Sequence, residues 1–205
     1  MQNQADVNEV FQEHLLKGEN ILWSGQPDPK VIFAPADLFI VPFSFLWGGF
    51  MIFAIYSILS SMTHGNNSEP PDVIFIIIPI LFVIVGLYFM FGRFFFKKWK
   101  KQRTYYAVTN RRVLVLTKAF GQQLHESNIK LISAINKRVR ADGIGTLTFG
   151  GNQSMFFNGN QYYGNTGMDI LPLYGFQLAF YDITNANEVY KLIMDIQFKE
   201  SPGTE

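Results

Sequence analysis

Six of the chain's seventeen basic residues fall in one stretch of eleven, RFFFKKWKKQR, residues 93–103. Guanidinium and ammonium groups at this density can bind phosphate on a nucleic acid or on a lipid headgroup. The phenylalanines and the tryptophan threaded among them can stack on bases or settle among headgroups. A formal net charge of +1 at pH 7 speaks against nucleic acid, because affinity for a polyanion needs an excess of basic charge. Two smaller basic groups follow, Arg111 with Arg112, and Lys137 with Arg138 and Arg140. Arg138 and Arg140 share one face of a strand at period two and, with Lys137, form a patch able to pair with phosphate. The plainer alternative for these residues is a solvated turn and edge strand.

Other chemistry is sparse. There is no cysteine, which excludes disulfides, thiolate metal sites and cysteine nucleophiles and fits a reducing compartment. His14, His64 and His125 lie in three separate segments, a spacing that speaks against a metal site. The chain holds no GxSxG, HExxH or GxxxxGK[ST] motif and no paired carboxylates at a catalytic spacing. Gly143, Gly145 and Gly150 flank TLTF, a strand pattern, so no helix N-terminus follows them to hold a pyrophosphate. They read instead as a tight strand entry and a bulge. No cofactor is implied, and the expectation is a protein that is not an enzyme.

The elements around the basic stretch explain it. Hydrophobic residues make up 48% of the chain and charged ones 16%, against about 25% charged in soluble proteins. Residues 38–62 and then 73–92 contain no charged residue. Each run is close to or beyond the roughly 20 helical residues that cross a bilayer core. Pro42 sits near the start of the first, and Pro79 inside the second predicts a kink. Residues 63–72 between them carry no Lys or Arg, whereas six follow the second run. The positive-inside rule then predicts a hairpin of two spans in the cell membrane, multi-pass, with an extracytoplasmic loop at 63–72 and both termini cytoplasmic.

Residues 73–103 therefore read as the second span with its basic, aromatic exit. Continued as a helix, Arg93, Lys97, Lys100 and Lys101 gather on one side and Phe95, Phe96 and Trp99 on the other. Arg93, Lys97, Lys98, Trp99, Lys100, Lys101 and Arg103 are the candidate membrane-interface or lipid-headgroup residues. Their plain role is a topological anchor, and specific recognition of a headgroup or partner is the alternative.

Past Arg103 the pattern changes to short alternating segments. TYYAVT (104–109) and RVLVLT (112–117) predict strands joined at Asn110-Arg111. FGQQLHE (120–126), LISAINKRV (131–139), GTLTFG (145–150), SMFF (154–157) and FQLAFYDI (176–183) are further strand candidates. Residues 184–200 predict an amphipathic helix, with Thr184 or Asn185 as cap and Val189, Leu192, Ile193 and Ile196 as its apolar stripe. Strands followed by one helix suggest a small, partly open antiparallel barrel closed at one end by that helix. Residues 151–169, rich in Asn, Gly and aromatics, form a long loop that is either adhesive or disordered.

YYAVTNRRVLVL, IKLISAI, RADGIGTLTFG and the ITNANEVYKLI helix together resemble the bacterial pleckstrin-homology (PH) domain membrane proteins. These form a family of unknown function related in fold to PH and GRAM domains. The resemblance covers residues 104–150 and 176–200 and reaches LKGENILWSGQPDP, residues 16–29. It implies a membrane α-helical hairpin plus a cytoplasmic α+β, PH-like domain over 104–200. ILW (21–23) is bounded by Gly18, Gly25 and Pro27, and residues 18–30 then hold the domain's first strand, with the hairpin inserted between strands one and two. The alternative sets Trp23 at the membrane interface. Residues 1–17 predict an amphipathic helix, with Val7, Val10, Phe11 and Leu15 on one face and Glu9 and Glu13 on the other, packed on the domain. The headgroup loop of PH domains falls where the hairpin is inserted, so none of their basic motifs transfers to this chain. The resemblance implies a non-catalytic module that binds protein partners or lipid headgroups, anionic ones included, with room for oligomerisation and no nucleic acid. The alternative is an accessory subunit of a transporter or envelope-stress complex.

Overall fold

The computed structural model describes residues 4–31, 33, 37–64, 73–150 and 178–199. Residues 151–177, and with them the SMFF strand candidate and the 151–169 loop, lie outside the described residues.

Alternating β-branched residues set the first sheet. β1 (Ile21–Gly25), β2 (Thr104–Thr109), β3 (Arg112–Thr117) and β4 (Gln123–Asn128) form an antiparallel meander in the order β1-β2-β3-β4. β1 precedes both apolar helices in the chain and pairs directly with β2, which follows them. The run RVLVLT is apolar at consecutive positions because both faces of this sheet are covered. Tyr106, Val108, Val113 and Val115 face one core, while Ala107, Leu114 and Leu116 face a second with Val7 and Phe11. Those last two come from helix α1 (Gln4–Gln12), which lies on the back of the sheet.

A second antiparallel sheet has the order β5 (Ile135–Val139), β6 (Gly145–Phe149), β7 (Ala179–Ile183). The described strands thus form two sheets and no closed barrel. The chain leaves β4 through a 3-10 turn, Ile129–Leu131, whose entry is fixed by the Asn128 side chain accepting from the Lys130 N–H. That turn starts β5 at residue 135, so the expected strand at 131–139 is shortened and pairs away from β4. Gly121, with φ of 85°, bends the chain ahead of β4 and moves that strand from 120–126 to 123–128. The sheets face each other across one core centred on Phe180, whose ring lies 4.7 Å from Tyr106, 4.9 Å from Phe149 and 5.7 Å from Trp23. Helix α5 (Ala186–Lys199) closes this core with Val189 and Ile193 buried and Leu192 and Ile196 packed against it. Ahead of α5, the Asn185 carbonyl accepts from the Glu188 and Val189 N–H groups.

Between β1 and β2 run α2 (Asp37–His64), α3 (Val73–Leu87), a π turn (Tyr88–Gly92) and α4 (Arg93–Lys101). Two stretches, Ile40–Ser60 and Ile77–Lys101, are long and apolar enough to cross a membrane. The helices touch through Trp47, which packs on Phe82 at 5.5 Å and against Gly86. Helix α3 continues through Pro79, and the departure from α geometry comes later, at the π turn.

Gly145 is where β6 comes closest to its neighbours. A Cβ there would stand 2.7 Å from both the Ala186 Cβ and the Arg138 carbonyl oxygen. Gly145→Ala should therefore lower stability by about 1–3 kcal/mol, read by urea unfolding in detergent micelles. An unchanged midpoint would mean that α5 can retreat freely from the sheet.

Candidate functional site

The motifs GEN, residues 18–20, and TNRR, residues 109–112, meet at the end of sheet one. The Arg112 Nε donates to Glu19 Oε1 at 2.9 Å and its Nη2 to Glu19 Oε2 at 2.8 Å. The Thr109 hydroxyl donates to Glu19 Oε1 at 2.7 Å, and the Leu16 N–H to Oε2 at 2.8 Å. Arg112 also pairs with Glu126 and donates to the His14 carbonyl. Asn110 exchanges backbone and side-chain bonds with Asn20. Burial alone would raise the Glu19 carboxyl, but the Arg112 hydrogen bonds, the Leu16 and Thr109 donors and the guanidinium charge bring it down to about 2. The same pairing raises Arg112 above its ordinary value. Arg112 is thus a structural clasp and not part of a surface patch.

A second site surrounds α4. The helical repeat puts Arg93, Lys97 and Lys101 on one stripe, and all three are buried. Arg93 Nη1 meets Asp37 Oδ1 at 2.5 Å, joining the start of α4 to the start of α2. Its Nε and Nη2 have no hydrogen-bond partner among the described residues. Lys101 Nζ meets Asp182 Oδ2 at 2.6 Å and donates to the carbonyls of Val31 at 2.7 Å and Asp28 at 3.0 Å. The Asp28 N–H in turn donates to the Asp182 carbonyl. One ammonium therefore holds the end of α4, the segment after β1 and strand β7 together. Asp182 sits at φ 50°, an uncommon backbone for a non-glycine residue that this network holds in place.

The opposite stripe faces outward. Phe95 is 75% exposed and Phe91 57%. Phe96 and Trp99 are part-exposed and pack on Phe120, at 5.8 Å and 5.3 Å, in the turn between β3 and β4. Arg103 lies over the Trp99 ring at 4.5 Å. Lys98 is exposed and Lys100 half-buried. The sequence reading puts Arg93, Lys97, Lys100 and Lys101 on one side of the helix and Phe95, Phe96 and Trp99 on the other. The structure keeps only part of that division: it turns Arg93, Lys97 and Lys101 into the protein, and leaves Lys100 outward with Lys98 and Arg103, among the rings.

The other basic residues lie in two places. Arg111 lies exposed at the β2–β3 turn, while Lys137, Arg138 and Arg140 lie exposed on or beside β5 in the other sheet. Lys137 Nζ donates to Asn187 Oδ1 at 3.0 Å and sits 4.4 Å over the Tyr190 ring. Arg140 pairs with Asp142 at 3.1 Å. His125 is lowered by burial and by the charge of Lys100. Among the described residues no group of three His, Asp or Glu is placed to hold a metal. Sequence reasoning missed Glu19, Asp37 and Asp182 as partners. Each is an acid at the edge of, or inside, an otherwise apolar run, and that is the signal that could have flagged them.

No protein-family model, curated protein or solved structure matches the chain.

The Glu19 carboxyl is depressed on folding, so its contribution is complete above its unfolded value of about 4.3 and is lost as pH falls towards 2. Glu19→Gln should lower stability at pH 7 by about 3 kcal/mol and flatten the acid-unfolding profile between about pH 4.5 and 2. An unaltered acid profile, followed by circular dichroism, would remove Glu19 as the source. Lys101→Met strands the Asp182 carboxylate and should cost about 3 kcal/mol, with faster amide exchange at Asp28. Lys98→Met, on the exposed side, should stay within about 0.5 kcal/mol. Equal effects of the two changes would show that the Lys101 bridge contributes nothing.

Proposed function

We propose that the chain is a membrane-anchored, non-catalytic binding module of the bacterial PH-domain type. Two spanning helices hold its PH-like domain at the cytoplasmic face of the cell membrane, where it engages protein partners or anionic lipid headgroups. The inside-out polarity of α4 carries this reading. A helix in water turns its charges to solvent and its rings to the core. Here the buried stripe is Arg93, Lys97 and Lys101 and the outward one holds Phe91 and Phe95. That order suits a helix leaving a bilayer at headgroup depth, where aromatic rings are favoured. The ring of exposed aromatics continues off the helix, through Phe33, 5.3 Å from Phe94, and Phe120. Lys98, Lys100 and Arg103 stand among these rings, each able to gain about 1 kcal/mol from an anionic leaflet.

The direct connection of α4 into β2 supports the other half of the proposal. A domain whose first two strands bracket the spans cannot swing away on a tether, because both ends of the insertion are pinned by the sheet and by Lys101. Its outer surfaces are then offered at a fixed height and angle above the lipid.

The absence of cysteine makes the topology test direct. Single cysteines at Asn66 and at Lys118 should label oppositely with a membrane-impermeant maleimide. Asn66→Cys should react on intact cells, and Lys118→Cys only after permeabilisation. Reaction of both from the same side would refute the two-span arrangement.

A further inference from the structure

Strand β5 lies at the edge of its sheet, with β6 on one side and no strand on the other among the described residues. The ladder fixes which of its backbone groups are used. The Gly150 N–H donates to the Ala134 carbonyl and the Arg140 N–H to the Ile144 carbonyl, in register with Ile135 opposite Phe149 and Val139 opposite Gly145. Antiparallel pairing alternates, so residues 134, 136, 138 and 140 bond to β6. Ile135, Lys137 and Val139 then direct their N–H and C=O groups to the open edge. An open edge of this kind is a template for another strand.

Beside that edge, between β5 and α5, runs a groove of about 470 Å³. Ile132 and Ile135 line one side and Tyr190, Met194 and Phe198 the other, and Phe198 is 65% exposed. The charged side chains on the groove and along β5 are Lys130, Lys137 and Arg138, all basic. A run of strand donors and acceptors that no described strand uses, an apolar slot beside it and one sign of charge along the groove and β5 describe a single kind of occupant.

We propose that the β5–α5 groove binds an extended, acidic segment of a partner protein, which adds to β5 as a fourth antiparallel or parallel strand. Its backbone pairs with Ile135, Lys137 and Val139. One bulky apolar side chain enters the slot between Ile135 and Met194, and its carboxylates meet Lys130, Lys137 and Arg138. Main-chain bonds supply affinity and the slot supplies selectivity, as in other strand-addition complexes. This deepens the partner-binding arm of the proposed function but does not depend on the chain crossing a membrane, which the cysteine labelling decides separately.

The test pans a phage-displayed library of random twelve-residue peptides on the full chain in nanodiscs, with empty nanodiscs as background. Enriched peptides should share one large apolar residue flanked by Asp or Glu. A synthetic copy should slow amide exchange at Ile135, Lys137 and Val139. Lys137→Pro removes an edge donor that β6 does not use and should weaken binding at least tenfold. Lys137→Ala, which keeps the donor, should weaken it less, and unchanged exchange in β6 would show that both variants fold. No enrichment over background, protection elsewhere, or equal loss in the two variants would overturn the proposal. So would slow exchange at these three amides in the free chain, whether constant, dependent on protein concentration (a second copy) or dependent on anionic lipid in the disc.

Discussion

The pairing of Glu19 with Arg112 closes a loop that contains both long apolar helices found among the described residues, its donor and acceptor 93 positions apart. Neither partner would be tolerated alone at that depth, since an unpaired buried charge costs several kcal/mol. Together they hold the residues ahead of β1 against the β2–β3 turn, and the β1–β2 ladder runs on from that point. Sheet one, its back layer of Val7 and Phe11, and the placing of α2 and α4 all follow from this closure. Thr109 and Leu16 complete the carboxylate's shell, so the clasp is a saturated network and not a lone ion pair.

A second tier of buried charge repeats the logic at the other end of the insertion. Lys101 gathers a carboxylate and two carbonyls from segments distant in sequence, and Arg93 ties α4 to α2. The π turn at Tyr88–Gly92 matters here because it adds a residue to the helical winding. One residue is about 100° of rotation, enough to decide whether the Arg93–Lys97–Lys101 stripe meets the protein or the surroundings. The direction in which α4 faces is thus set by the turn before it as much as by its own sequence.

Much of this architecture is written in local patterns. TYYAVT and RVLVLT give β2 and β3 to the residue, because alternation and a tight turn leave no other register. The helix at 184–200 is legible from its stripe, and the two apolar runs from length alone. Local reading fails where the cause is remote. Nothing between residues 120 and 135 announces that a 3-10 turn will separate β4 from β5 and leave two sheets in place of a barrel. The periodicity of 93–103 puts Arg93, Lys97 and Lys101 on one stripe but places Lys100 with them, and it cannot say which side turns inward. That depends on Asp37 and Asp182, on either side of the stretch and far from it. GEN and TNRR stand 90 positions apart, and nothing local in either shows that they bond to each other.

Because β1 is made before the helices and its partner after them, the order of synthesis constrains how the molecule can assemble. A chain emerging N-terminus first presents Ile21–Gly25 long before Thr104–Thr109 exists to pair with it. The apolar helices must therefore find their surroundings while the sheet is still missing a neighbour, and the domain can finish only afterwards. Its completion is a late event that reports on the hairpin: a chain whose helices are misplaced would bring β2 to the wrong location and leave β1 unpaired.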